Sequence, residues 1–391
     1  MIEIREIPEA DIDRMVDLAG MVFHVDTDDE RDGWRPRRAE RIGAYDGDVL
    51  AGQLASMPLR LAVPGAFLDC SAVTFAGVLP THRRRGILTS MIERMHAGAV
   101  AAGRPVAALW ASQGAIYGRY GFGLATRAIS LEVDTSRPLG LRTAPDPAPL
   151  RLVDAASAAD VLDPLYTRAL ARRPGGLVRD PEWWTRSVLR PLDPDAPGYS
   201  GPRVVVHPGG YAVYRAHEDG TIRVADLVAD TPEAEAALWR YLASIDLTSR
   251  VQAPSRPVDD LLPSMAADPD QVVIRNDHGA LWLRLVDVPA ALRSRSWATE
   301  DTFVLEVVDD RIPANDGRRR LTTGAAPACD RTSEPPDLTM TAADLAAVYL
   351  GGNRLTTLVR VGAVTEHTPG AAARLDAALT VPLAPYINDD F

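Results

Sequence analysis

The run Val73-Thr74-Phe75-Ala76-Gly77-Val78-Leu79-Pro80-Thr81-His82-Arg83-Arg84-Arg85-Gly86-Ile87-Leu88 decides how this chain is read. A β-prone apolar stretch turns through Leu79-Pro80-Thr81 into an arginine-rich loop that contains a glycine. From Ile87 the apolar residues Leu88, Met91, Ile92 and Met95 recur at three- and four-residue spacing, which predicts a helix with one buried face. The order is strand, basic loop, helix.

That order creates a place for phosphate. The first N–H groups of a helix lack internal partners and point outward with the positive end of the helix dipole. Gly86 permits close approach to the backbone, and Arg83, Arg84 and Arg85 add charge. A solvated basic turn is the other reading of the same residues, and the loop alone leaves both open.

Farther on, Val106 to Ala111 reads as another strand, followed by Ser112-Gln113-Gly114-Ala115-Ile116-Tyr117-Gly118-Arg119-Tyr120-Gly121-Phe122. The Arg83-x-x-Gly86-x-Leu88 loop after one strand and the Ile-Tyr-x-x-x-Gly-Phe segment after the next resemble the GNAT acyltransferases, which bind acyl-CoA. The usual loop there is Gln/Arg-x-x-Gly-x-Gly/Ala, and Leu88 departs from it. The triple-arginine loop ending Gly86-Ile87-Leu88 is similar to one branch, the Eis-like N-acetyltransferases.

Working outward, 391 residues with 46% hydrophobic composition allow two or three domains with ample core. Met1-Ile2-Glu3-Ile4-Arg5-Glu6-Ile7 alternates like a first strand without signal-peptide anatomy, and no apolar run reaches membrane length, so a soluble cytoplasmic protein is expected. A net charge of −11 argues against nucleic acid as the main partner and suits cationic ligands. Cys70 and Cys329 lie far apart without zinc or disulfide spacing, the histidines are scattered singly, and no metal is expected. All 42 basic residues are arginine, which leaves no lysine side chain for self-acetylation.

The expected fold class is α/β (α+β): tandem GNAT-like mixed sheets, then a domain similar to sterol-carrier proteins. Residues 1–134 form the first unit, with a helix over Glu9 to Phe23, a hairpin at Asp46-Gly47, and a strand over Leu124 to Val133 continuing its sheet. The proline-rich stretch Asp134 to Leu150 leads to a second GNAT-like unit, 135–285, with strands near Val204, Tyr211 and Ile222 and a helix opening at Thr231-Pro232. No Arg-x-x-Gly-x-Gly/Ala loop follows its strands, so it reads as structural. Residues 286–391 complete the sterol-carrier-like pattern, as found at the C-terminus of Eis-like proteins.

Acetyl transfer to an amine must remove a proton from the amine, stabilise charge on the thioester carbonyl and protonate or stabilise the departing thiolate. Backbone N–H groups near Phe75, Ala76 and Val78 serve the carbonyl if the sheet splays there. No G-x-S-x-G elbow appears, so no acyl-enzyme is required. The resemblance places Tyr117 as general acid, acetyl-CoA along Phe75 to Val78 with its pyrophosphate at Arg83, Arg84, Arg85, Gly86 and Ile87, and Ser112 and Arg119 close to the cofactor. It also implies that the α-carboxylate of Phe391 draws a proton from the acceptor, with the phenylalanine ring anchoring the tail; a tail merely packed on its neighbour is the alternative. Among the acidic residues after the first helix, Asp26 is a candidate for the acceptor ammonium, or else part of a solvated loop. Phe23 and Trp34 line the acceptor pocket or pack in the core.

The implied activity is acetyl-CoA-dependent N-acetylation of primary amines on cationic acceptors, such as aminoglycosides or lysine and N-terminal amines of peptides, by a homo-hexamer. A lipid carrier with a vestigial GNAT core is the competing class, and transfer of longer acyl chains a variant within enzyme chemistry.

Overall fold

The computed structural model describes residues 1–27, 38–193 and 196–391. Two compact units emerge: Met1–Thr126 with Ala280–Val381 and Asp390–Phe391, and Arg127–Gly279 with Pro382–Asp389.

In the first unit, β1 (Ile2–Glu6), β2 (Glu40–Asp46), β3 (Val49–Val63), β4 (Ala66–Val78), β5 (Val106–Trp110) and β6 (Gly123–Leu124) join one seven-stranded sheet with a strand from much later, Leu281–Leu285. The expected hairpin is present, with Gly47 at a φ of 59° between β2 and β3. Helix α1 (Ile12–Phe23) buries Met15, Leu18 and Ala19. Helix α2 (Ile87–Ala101) buries Ile87, Met91, Ile92 and Met95, whose spacing predicted it, together with Ala99, while Leu88 of the same predicted face is half-buried. Each large apolar side chain withdrawn from water here contributes on the order of 1.5–3 kcal/mol.

The second unit carries its own seven-stranded sheet, built from β7 (Arg127–Asp134), β8 (Arg151–Val153), β9 (Arg203–His207), β10 (Gly210–Ala216), β11 (Thr221–Ala229), β12 (Arg250–Pro257) and β13 (Val272–Gly279) in the order β13-β7-β12-β11-β10-β9-β8. Helix Pro232–Ala243 opens as its sequence predicts: Thr231 caps it by accepting from the Ala234 N–H, and proline holds the first turn.

The sequence reading misplaced two strands. The strand over Leu124 to Val133 does not continue the first sheet: its short β6 portion stays there, while β7 pairs with β12 and β13 in the second. Conversely β14 (Leu281–Leu285), read as belonging to the second GNAT-like unit, inserts between β5 and β6. Both runs are apolar and strand-like in either setting, so periodicity cannot choose their partners.

The remaining strands, β15 (Thr302–Val308), β16 (Gly317–Thr322), β17 (Ala328–Arg331), β18 (Leu338–Thr341) and β19 (Thr365–Glu366), form a five-stranded sheet in the first unit. Helix Ala342–Tyr349 packs against β14, β6 and β18, and Arg284 of β14 donates to the buried carboxylate of Asp309. The three sheets mix parallel and antiparallel pairs, as the α/β expectation requires. Among the described residues no helix is long and apolar enough to cross a membrane.

Candidate active site

Strands β4 and β5 run parallel and pair from Cys70–Val106 to Val73–Leu109, and there the ladder stops. Beyond Val73, β4 continues to Val78 against β3 alone, while β5 turns away beside β14. The result is a fork. Its β4 arm carries Phe75, Ala76 and Val78, and its register against β3 slips between Gln53 and Ala55, with Phe75 at a φ of 56°. A bulge of this kind bends a strand and redirects its backbone groups. Phe75 lies against the α1 cluster with Val22 and Leu79, whereas Ala76 and Val78 lie with Ile87 and Tyr117 in the α2 cluster.

The basic loop closes one end of this arm. Arg83, Arg84 and Arg85 are exposed, Arg84 has a φ of 63°, and Gly86 at 77° caps α2. Left-handed residues in such a loop turn backbone N–H groups toward one concavity, which favours an anion. A Cβ on Gly86 would meet nothing within 4 Å, so the backbone conformation and not crowding calls for glycine. Arg85 reaches Asp46 at 3.4 Å, and Arg83 Nε lies 3.5 Å from the Val78 carbonyl. With Ile87 as its first residue, α2 presents its unpartnered N–H groups beside three guanidinium groups.

Tyr117 follows the other arm. It is 6% exposed, its ring packs edge-on to Phe122 with centroids 6.1 Å apart, and no hydrogen bond of its hydroxyl is found among the described residues. Burial, with a smaller contribution from Tyr120, raises its pKa above the ordinary tyrosine value. The phenol therefore stays protonated at neutral pH and can donate. Tyr120 is different: its hydroxyl is paired with Thr89 Oγ1 at 3.1 Å. Gly121 is required by geometry, since its φ is 81° and a Cβ would fall 2.3 Å from Arg284 Nη1.

Phe75, Ala76, Val78, Ile87 and Tyr117 are thus brought into adjoining clusters around one fork, with Arg83–Gly86 at its end. Ser112 and Arg119 are exposed on the β5 side; Arg119 Nε donates to the Ile116 carbonyl at 2.9 Å. Phe23 ends α1 half-buried, and Asp26 is exposed just beyond it. Trp34 lies outside the described residues. Phe391 groups with the first unit and keeps part of its surface exposed. The buried residues near the chain end are instead Ile387 and Asp389, which the sequence reading passed over because nothing local distinguishes them. The two cysteines are free and buried, and burial pushes the Cys70 thiol up to about 12, so neither is a prepared nucleophile.

Comparison with known families gives matches to an acetyltransferase (GNAT) domain at residues 3–125, a second GNAT domain at 175–285 and a sterol carrier protein domain at 288–388. An uncharacterized N-acetyltransferase of Streptomyces avermitilis is 37% identical, over 94% of this chain and 93% of its own. N-acetyltransferase Eis of Mycobacterium tuberculosis is 35% identical, over 86% and 85%. The crystal structure of Eis1 from Mycobacterium abscessus superposes with a TM-score of 0.88 at 34% identity, covering 100% of both chains. With its two GNAT domains followed by a sterol carrier protein domain, the chain belongs to the Eis-like GNAT N-acetyltransferases and is an acetyltransferase.

Proposed function

We propose that this enzyme transfers an acetyl group from acetyl-CoA directly to primary amines of cationic acceptors, either aminoglycosides or the lysine and N-terminal amines of peptides. The fork between β4 and β5, with an arginine-rich helix N-terminus at one end and a buried protonated tyrosine on the other arm, carries this reading. Acetyl-CoA lies along Phe75 to Val78, its pyrophosphate against Arg83–Ile87, with Ser112 and Arg119 beside it. The amine nitrogen attacks the thioester carbon and the C–S bond breaks. Tyr117 gives its proton to the departing thiolate, and the proton lost by the amine passes through water to the α-carboxylate of Phe391. In this reading Asp26 and Phe23 contribute to acceptor binding, and Trp34, outside the described residues, is the further candidate named from the sequence. The net charge of −11 suits cationic acceptors by long-range attraction. A hexamer and a cytoplasmic location belong to the same reading; native mass spectrometry tests the first.

The test is CoA release from acetyl-CoA with a polyamine aminoglycoside, comparing the chain ending at Phe391 with one extended past it. Release that is fast with the first and lost with the second supports both the reaction and the base. Equal rates keep the acetyltransferase and move the base to the acidic residues near Asp26. No release with aminoglycoside or with a lysine-containing peptide overturns the acceptor class.

A further inference from the structure

The fork repeats in the second unit, and there it bounds a cavity. Strands β11 and β12 pair in parallel only from Thr221–Arg250 to Arg223–Gln252, and then part. The segment Pro382–Asp389, which groups with this unit, lies in the gap. Its Asn388 Nδ2 donates to the Ala225 carbonyl of β11, and its Tyr386 hydroxyl to the Ser255 carbonyl of β12, each at 2.8 Å. Gly175 permits the approach, since at a φ of 107° a Cβ there would lie 2.9 Å from the Tyr386 backbone. Beside the segment remains a cavity of about 440 Å3, bounded by β11 from Asp226 onward, by Arg256 and Pro257 of β12, and by the start of helix Pro232–Ala243. That is the size of a small-molecule site, and every residue lining it belongs to the second unit.

The unmet partners in its wall select the ligand. Leu170, Leu261 and Leu383 give part of the wall an apolar surface. The charged part holds four arginines and five acidic residues, so carboxylates are in excess. The arginines are engaged. Arg179 donates to Asp226 at 2.6 Å and to Asp389 at 2.8 Å, Arg173 to Asp259 at 2.5 Å, and Arg172 to the Asp230 carbonyl at 2.7 Å. Arg256 donates to Asp260 at 2.6 Å and to Glu235 at 3.2 Å. The helix end offers an anion little, because Pro232 has no N–H and the Ala234 N–H is taken by Thr231 Oγ1 at 3.2 Å. Glu235 is the acid left over. Its side chain is 12% exposed, and its Oε1 accepts from Arg256 and, at 3.4 Å, from Trp239 Nε1. No hydrogen bond to its Oε2 is found among the described residues. Burial and then Asp260 raise the Glu235 pKa, and a cation beside Oε2 offsets both. A carboxylate oxygen withdrawn from water without a donor is costly, and a charged N–H group relieves that cost.

We propose that the fork of the second unit is a binding site for a small organic cation, a primary ammonium on an apolar body, with Glu235 as its charge partner and the leucines around the body. The inference does not rest on the acceptor or the base assigned to the first unit. Three probes that share one body test it: phenethylamine, phenethyl alcohol and phenylacetate, each added to the full chain and followed by hydrogen-exchange mass spectrometry. The amine is expected to slow exchange in 226–235 and 382–388, the segments that bound the cavity, and the alcohol and the carboxylate to bind there at least about tenfold more weakly. Glu235→Gln, which keeps an oxygen for Arg256, weakens the amine by about tenfold and leaves the alcohol unchanged. Leu261→Trp, which fills the cavity from its apolar side, weakens both. Exchange of β9 and β10 without probe reports whether the second unit is folded in each variant; should Glu235→Gln fail to fold, the probe series and Leu261→Trp decide alone. Amine protection that is absent, confined to the first unit or matched by phenylacetate overturns the proposal, as does amine binding unchanged in a folded Glu235→Gln or in Leu261→Trp.

Discussion

The two GNAT units share a fork and differ in what surrounds it. In the first, β4 and β5 part after Val73 and Leu109, and the loop that follows β4 carries three arginines and a left-handed glycine into α2. In the second, β11 and β12 part after Arg223 and Gln252, and the following loop is Asp230-Thr231-Pro232. There Asp230 takes Arg168 at 2.7 Å, the Thr231 side chain already accepts the Ala234 N–H, and Pro232 has no N–H to offer. An anion would meet a carboxylate where the first unit offers guanidinium groups. The fork is a property of the fold, and binding chemistry is a property of the few side chains placed around it.

Four experiments can break or sharpen that contrast. The largest effect is expected at Tyr117: Tyr117→Phe keeps acetyl-CoA binding but lowers kcat by about 100-fold, the scale of a lost general acid. Because burial raises the Tyr117 pKa above the ordinary value of 10.0, the kcat–pH profile of the parent has no alkaline limb from this group below pH 10. Turnover unchanged in Tyr117→Phe would remove the feature that most separates the two forks.

Next comes acid stability of the first unit. His96 in α2 is 3% exposed, stacks on Phe122 at 6.0 Å, and neither ring nitrogen has a hydrogen-bond partner among the described residues. Burial, followed by the nearby Arg284, pushes its pKa down from 6.5 to about 3. A histidine held neutral in the fold contributes stability that is complete above the unfolded value of 6.5 and lost as pH falls toward the folded one. Between pH 6.5 and 5 that loss is about 2 kcal/mol. His96→Leu should flatten this part of the denaturant midpoint–pH curve, and hydrogen exchange should localise the change to the β4–α2–β5 region.

Smaller again is the effect on nucleotide binding. Replacing Arg83 and Arg85 by alanine should weaken acetyl-CoA binding about tenfold, roughly 1.4 kcal/mol, and reduce its salt dependence in calorimetry. The smallest is expected in the second unit, where Arg168→Ala should leave the affinity and a stoichiometry of one acetyl-CoA per chain unaltered. A second binding event, or its loss on that substitution, would erase the contrast.

Much of the first unit was legible because its signals are local. The helix at Ile87 follows from the spacing of Met91, Ile92 and Met95, and the glycine at 86 marks the turn that α2 needs. Residues 28–37, Trp34 among them, lie outside the described residues, so of the three proposed acceptor residues only Asp26 and Phe23 are described. Asp389 illustrates what was hidden. In the sequence it is one of two adjacent aspartates near the end, and its partner Arg179 lies 210 residues earlier.

The sequence by itself determined the strand–loop–helix order, the arginine loop, the tyrosine segment and the presence of three sheet-forming regions, because each depends on residues within a few positions of one another. Only the tertiary structure decided that Leu281–Leu285 completes the first sheet, that Arg127–Asp134 leaves it for the second, and that the tail fills the second fork. Those choices depend on which distant surfaces close against each other. Strand pairing and buried ion pairs are set by burial and register across the whole chain, and neither leaves a periodic trace in the residues that take part.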